Sequence, residues 1–208
     1  MTKPVFTISK TKVVTMPYGE RQLLEIIRRL GVIRVDQLSK IAGYTAADKD
    51  RYSYFVHDLL YRDNGIRVTD DGYIVSAGIK KFKSGFAECL WDVIKNKETL
   101  DLDLVERAEA PCDLFYQQSD GTVVIDTFID SSNIKALPYI QERYYARQLC
   151  ENDEDDCSVL NIFVVTDPDI AVKIAKEYKM TMPYKICLLD YDAINNGIPG
   201  IRYLSKKQ

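Results

Sequence analysis

Histidine is nearly missing from this chain: His57 is the only one in 208 residues. Catalytic schemes that need two imidazoles, and zinc sites built on them, are excluded by counting. The five cysteines, Cys89, Cys112, Cys150, Cys157 and Cys187, are odd in number, scattered and without a Cys-x-x-Cys pair. That spacing argues against a disulfide framework and against a structural zinc site, and it suits a reducing compartment. No apolar run approaches membrane-spanning length, and Met1-Thr2-Lys3-Pro4 opens no hydrophobic secretory segment. The expectation is a cytoplasmic protein with no membrane partner. His57 itself sits in a helical pattern beside Phe55, Val56, Leu59 and Leu60, which reads as a helix-surface or partly buried position; a Cys–His nucleophilic pair is the catalytic alternative.

What the chain does have is enough apolar content, 46%, to bury a real core, and a length that suits one large domain or two small ones. Its charge is unevenly spread. Residues 1–100 hold 17 Lys and Arg against 12 Asp and Glu, or +5, while the remaining 108 hold 11 against 19, or −8. Two modules with different partners follow from that split, the first tolerating polyanions and the second repelling them.

In the first module, residues 1–17, with Lys3, Lys10 and Lys12 among alternating apolar residues, read as a short strand, a basic arm or a plain leader. Leu23, Leu24, Ile26, Ile27 and Leu30 predict a helix from Gly19 to Leu30, ended by Gly31. Asp36 reads as the N-cap of a second helix, Gln37–Ala42, and Thr45 as the cap of a third, Ala46–Tyr61, with Tyr52, Phe55, Val56, Leu59 and Leu60 inward. Ile66–Thr69 and Tyr73–Val75, joined by Asp70-Asp71-Gly72, read as a two-stranded hairpin. Lys80, Lys81 and Lys83 follow as a basic patch.

The second module begins near Ser84 with an amphipathic helix, Gly85–Lys95, then a strand around Leu102–Arg107. Pro111 to Phe128 reads as a tight hairpin: Leu114, Phe115 and Tyr116 lead into Ser119-Asp120-Gly121, and Thr122 to Ile125 lead out. Asp113 and Asp126 flank its open end, where two acids on neighbouring strands can hold a divalent cation such as Mg²⁺. A helix from Ile134 to Leu149, an exposed acidic loop Glu151–Asp156, a buried strand Ser158–Thr166, a helix capped by Asp167-Pro168, a strand Tyr184–Asp190 and an edge strand within Gly197–Leu204 complete the pattern.

Three helices and a hairpin over residues 18–77, with Val35 to Gly43 in helix-turn-helix phrasing, resemble a winged helix. That resemblance implies duplex DNA as partner, with Thr45, Lys49, Arg51 and Tyr52 at the third helix and Arg67 on the wing as contacts, and Lys80 and Lys81 as a second basic patch. Asp48, Asp50, Asp70 and Asp71 interleave with these cations and weaken phosphate contact. Asp113 and the Asp126-Thr127-Phe128 triplet resemble the PD-(D/E)xK nuclease superfamily, with one residue inserted between Pro111 and Asp113. Phe128 stands where that family has its water-activating lysine. The resemblance extends to Gln141 and Tyr145, spaced as in the Gln-x-x-x-Tyr signature of RecB-type nucleases, to Glu88 as a further metal acid, and to Lys135 as a relocated lysine.

The whole is therefore expected to be α/β, α+β overall, with a winged helix in residues 1–83 and a degenerate, mixed-sheet restriction-endonuclease-like domain in residues 84–208. In architecture it resembles the replication-relaxation type proteins of plasmids and conjugative elements. This implies a non-catalytic DNA-binding accessory or transcriptional regulator, its acidic domain mediating assembly as a homodimer or with a mobile-element partner. The alternatives are a Mg²⁺-dependent nuclease built on Asp113 and Asp126, and an interaction module without DNA binding.

Overall fold

The computed structural model describes residues 20–44, 46–61, 65–79, 84–150, 158–196 and 200–204, the backbone alone at 20, 21, 46, 58–61 and 147–150. The leader 1–17, Thr45, the lysines at 80, 81 and 83, Cys157 and the acidic loop 151–156 lie outside the described residues. The chain is mixed α/β and divides into two compact units, Met1–Lys83 and Ser84–Gln208.

In the first unit, α1 (Glu20–Leu30) buries Leu23, Ile26, Ile27 and Leu30, the one apolar stripe its spacing allows. Gly31, at φ +78°, takes the left-handed conformation that ends the helix, and its N–H donates to Ile27 O at 2.8 Å. The turn aims Val32–Arg34 into a strand, β1, which the sequence reading did not assign. Next come α2 (Val35–Ile41), a 3₁₀ turn (Ala46–Asp48), α3 (Lys49–Tyr61), β2 (Ile66–Val68) and β3 (Tyr73–Ser76). The expected hairpin is thus part of a three-stranded antiparallel sheet, ordered β1-β3-β2, with Val32 opposite Val75 and Val68 opposite Ile74. Val32 and Ile33 are fully buried, so β1 is held by its side chains as much as by its ladder. Asp36 does not cap α2. Arg34 occupies that position and its N–H donates to Gln37 Oε1 at 3.0 Å, while Asp36 pairs with the Arg34 guanidinium at 3.1 Å.

The second unit is one six-stranded sheet in sequence order: β4 (Glu106–Arg107), β5 (Leu114–Gln117), β6 (Val123–Phe128), β7 (Val159–Val165), β8 (Tyr184–Leu189) and β9 (Ile201–Leu204). The first three run antiparallel, β6, β7 and β8 are parallel, and β9 turns back as an antiparallel edge. The strand expected at Leu102–Arg107 is mostly a 3₁₀ turn, Leu102–Leu104, leaving two residues of strand. The parallel crossovers are α5 (Leu137–Cys150) and α6 (Pro168–Glu177). Both bury their apolar faces in one cluster, where Ile134, Leu137 and Ile140 meet Ile170, Ala171 and Ile174 over Phe163, Val165 and Ile186. The opposite face of the sheet takes α4 (Gly85–Asn96), because alternation turns Tyr116, Asp126, Val164 and Cys187 to that side.

A short helix, α7 (Tyr191–Asn195), had no counterpart in the sequence reading. Asp190 caps it by accepting from Ala193 N–H at 3.0 Å and pairs with Arg202 on β9 at 2.8 Å. Gly200 makes this corner possible, since a Cβ there would stand 2.4 Å from Asp190 O and 2.6 Å from Ile194 Cγ1. Backbone cannot yield as a side chain can. Gly200→Ala is therefore expected to cost about 1–3 kcal/mol, read as a lower urea midpoint; an unchanged midpoint would show that α7 and β9 approach less closely.

A closed carboxyl layer and an open helix face

The hairpin brings its two acids together. Asp126 on β6 lies opposite Leu114, Asp113 N–H donates to Asp126 O at 3.0 Å, and Phe128 N–H donates to Asp113 Oδ2 at 2.8 Å. The surroundings differ from those of an open cation site. The Asp113 carboxylate rests against the first turn of α4, where a Cβ on Gly85 would meet its oxygens at 3.2 and 3.3 Å and Phe128 Cβ at 3.0 Å. The positive end of the helix favours an anion there. Arg107 lies over the Phe86 ring, 4.1 Å from its centre; burial holds its pKa down, and the charge of Asp113 pulls it up.

Asp126 has no such support. It is 0% exposed, and neither of its oxygens has a hydrogen-bond partner among the described residues. Burial drives its pKa well above the carboxylate range, and the charges of Asp92, Asp113 and Cys112 push the same way. Both causes favour the uncharged form over the carboxylate.

Beside it lies a well-satisfied acid that the sequence reading missed. Asp92, on α4, is fully buried and accepts from Tyr116 Oη at 2.6 Å, from Tyr203 Oη and from Asn96 Nδ2 at 3.3 Å. Burial raises its pKa while these donors lower it. Burial also raises the pKa values of Tyr116 and Tyr203, which keeps both hydroxyls protonated as donors. The buried thiols of Cys89 and Cys187 are raised for the same reason. Glu88, Asp92 and Asn96 recur every four residues on an otherwise apolar helix, and that stripe was the available signal.

The remaining nuclease expectations fall elsewhere. Glu88 accepts from Tyr191 Oη, which also accepts from Trp91 Nε1 at 3.2 Å, so its partner is on α7. Lys135 is exposed on the 3₁₀ turn that enters α5. Gln141 and Tyr145 do share a helix face, but both serve Thr181: Gln141 Oε1 accepts its N–H at 2.8 Å and Tyr145 Oη lies 2.8 Å from its Oγ1. They fasten the α6–β8 connection, on the side of the sheet away from Asp126. Mg²⁺ keeps waters and substrate oxygens in its shell, and Asp126, at 0% exposure, leaves no room for either. Among the described residues no three His, Cys, Asp or Glu side chains are grouped to hold a metal ion. The donor set does not fit the metal of the nuclease resemblance.

On α3 the expected DNA contacts divide. Lys49 is exposed, but Arg51 pairs with Asp48 at 3.3 Å, and Tyr52 turns inward, its hydroxyl donating to Val35 O and its ring 4.9 Å from that of Tyr44. Burial pushes the Tyr44 phenol up to about 12 and raises that of Tyr52 further. Arg67 is exposed on β2 and donates to Ile79 O at 3.2 Å. Thr45, Lys80 and Lys81 are outside the described residues. Ser53, Tyr54 and His57 take the outward positions instead. Comparison with known protein families, curated proteins and solved structures finds no match to the chain.

The state of Asp126 has a measurable consequence. Its folded pKa lies above the unfolded value, so the folded protein keeps a proton that the unfolded chain releases. Its contribution is neutral below the ordinary carboxylate range and turns increasingly unfavourable as pH rises toward the raised value, by up to about 1.4 kcal/mol per pH unit. Asp126→Asn removes that dependence. In urea unfolding at pH 5 and pH 8, the variant is expected to gain on the native chain as pH rises; parallel behaviour would mean that Asp126 is ionised in the folded state.

Proposed function

We propose that this is a DNA-binding accessory protein that does not cut DNA: the first unit acts as a winged helix on duplex DNA, and the acidic second unit is a nuclease-like fold given over to assembly. The observation that carries the first half is the element order α1-β1-α2-α3-β2-β3 with sheet order β1-β3-β2, together with a stripe of α3 that is exposed among the described residues. A helix so presented is what enters a major groove, while β2 and β3 form the wing. The second half rests on Asp126, sealed beneath α4, and on Phe128 in the lysine position. The order α4-β4-β5-β6-α5-β7 supports the nuclease-like relationship, and the loss of its chemistry suits a regulator or accessory of plasmids and conjugative elements, working in the cytoplasm. A dimer through the second unit, or a mobile-element partner, is part of this reading.

The test is fluorescence anisotropy of the full chain against a 30-base-pair duplex over a salt series, with Mg²⁺ or Mn²⁺ present and the DNA run on a gel afterwards. Binding is expected to weaken with salt, by roughly 10²-fold between 50 and 200 mM if about four phosphates are neutralised. The DNA is expected intact. Cleavage would restore the nuclease alternative, and absence of binding at low salt would leave an interaction module without DNA affinity.

A further inference from the structure

The exposed side of α3 differs in character from a phosphate-binding surface. Its outward residues are Lys49, Asp50, Ser53, Tyr54 and His57, a single stripe over two turns. Lys49 and Asp50 offset each other at the start of the helix, and the rest of the stripe holds no Lys, Arg, Asp or Glu. Tyr54 belongs to it at 61% exposure, more than any other large hydrophobic or aromatic side chain among the described residues. The neighbouring aromatics explain what Tyr54 is not doing: Tyr52 and Phe55 already fill the inner side against Tyr44 and the core. Its ring packs no part of the unit's interior.

The first unit as a whole is strongly cationic, with 15 Lys and Arg against 9 Asp and Glu in residues 1–83, whereas residues 84–208 hold 13 against 22. The polyanion that fits this unit is duplex DNA, yet its charge is not concentrated on the uncovered stripe of α3. Phosphate contacts fix a protein's position on the duplex, and contacts to base edges choose the sequence. Hydroxyl and imidazole groups suit the second task, since each can donate or accept, and a tyrosine ring offers apolar contact to a thymine methyl.

Resting on the DNA-binding reading, we propose that Ser53, Tyr54 and His57 read base edges in the major groove while Lys49 and Arg67 hold phosphates, so that sequence selectivity resides on the uncharged part of α3. This assigns the reading to residues other than Arg51, which pairs with Asp48, and Tyr52, whose hydroxyl donates to Val35 O. Tyr54 then decides specificity and Arg67 decides salt-dependent affinity.

The experiment selects duplexes from a library with a randomised 20-base-pair core using the full-length chain, Tyr54→Ala, Tyr54→Phe and Arg67→Ala, and then follows the salt dependence of each protein on the most enriched duplex. The native chain is expected to enrich a motif. Tyr54→Ala should blur one or two positions of it and weaken binding to the enriched duplex at least tenfold with the salt slope unchanged, and Tyr54→Phe should retain the positions read through the ring. Arg67→Ala should keep the motif and lower the salt slope by about one. Binding by the native chain without any motif, or a Tyr54→Ala protein with the same motif and affinity, would overturn the assignment while leaving DNA binding in place. No binding of any duplex at low salt removes the DNA reading itself, and this assignment with it.

Discussion

Much of the second unit depends on one buried carboxylate. Asp92 takes hydroxyl donors from Tyr116 on β5 and Tyr203 on β9, strands separated by three others in the sheet, and an amide donor from Asn96 one turn along its own helix. A carboxylate removed from water costs several kcal/mol unless donors replace the lost solvation, and here they do. The result is that α4 is tied at one point to β5 and to the edge strand β9. Cys187 and Asp126 beneath the helix share that closure, as does Cys89 on the helix itself.

The contrast between Asp92 and Asp126 follows from the same seat. Both are fully buried, but the tyrosine and asparagine donors all converge on Asp92 and none reaches Asp126. The cheaper state for the second acid is the uncharged one. Phe128 then completes the arrangement, its N–H engaging Asp113 and its Cβ packed close to Gly85 at the start of α4. The second unit thus keeps paired acids at a hairpin's open end while withdrawing one of them from solvent and from charge. In the first unit the opposite holds: α3 leaves polar side chains outside because its inner face is already filled by Tyr52 and Phe55.

What was legible in the sequence was whatever depends on local periodicity and turn chemistry. The hairpin around Gly121, the Asp167-Pro168 helix start and the doubly buried β7 all follow from residues within a few positions of each other. The adjacency of Asp113 and Asp126 was legible too, because a tight turn fixes the register across it. The third strand of the first sheet was hidden, since Val32–Arg34 is too short to show alternation and pairs with a partner some forty residues later. Asp92 escaped because its donors come from Tyr116 and Tyr203, whose convergence is created only by the sheet. The inward side of α3 was legible from its periodicity, with Tyr52 and Phe55 on it, whereas the Arg51–Asp48 pair depends on the 3₁₀ turn before the helix, which propensity does not reveal.

The central claim is that the acids of the second unit form a closed layer and not a cation site. Its most direct test is the thermal unfolding of the full-length chain at pH 7 with increasing Mg²⁺ and, separately, Mn²⁺, in parallel with Asp126→Asn. The expected result is a midpoint that either cation leaves in place, beyond a small ionic-strength effect that the variant shares. A saturable rise in the native chain that Asp126→Asn abolishes would contradict the claim, because only a cation bound to the folded state through that carboxylate stabilises in this way.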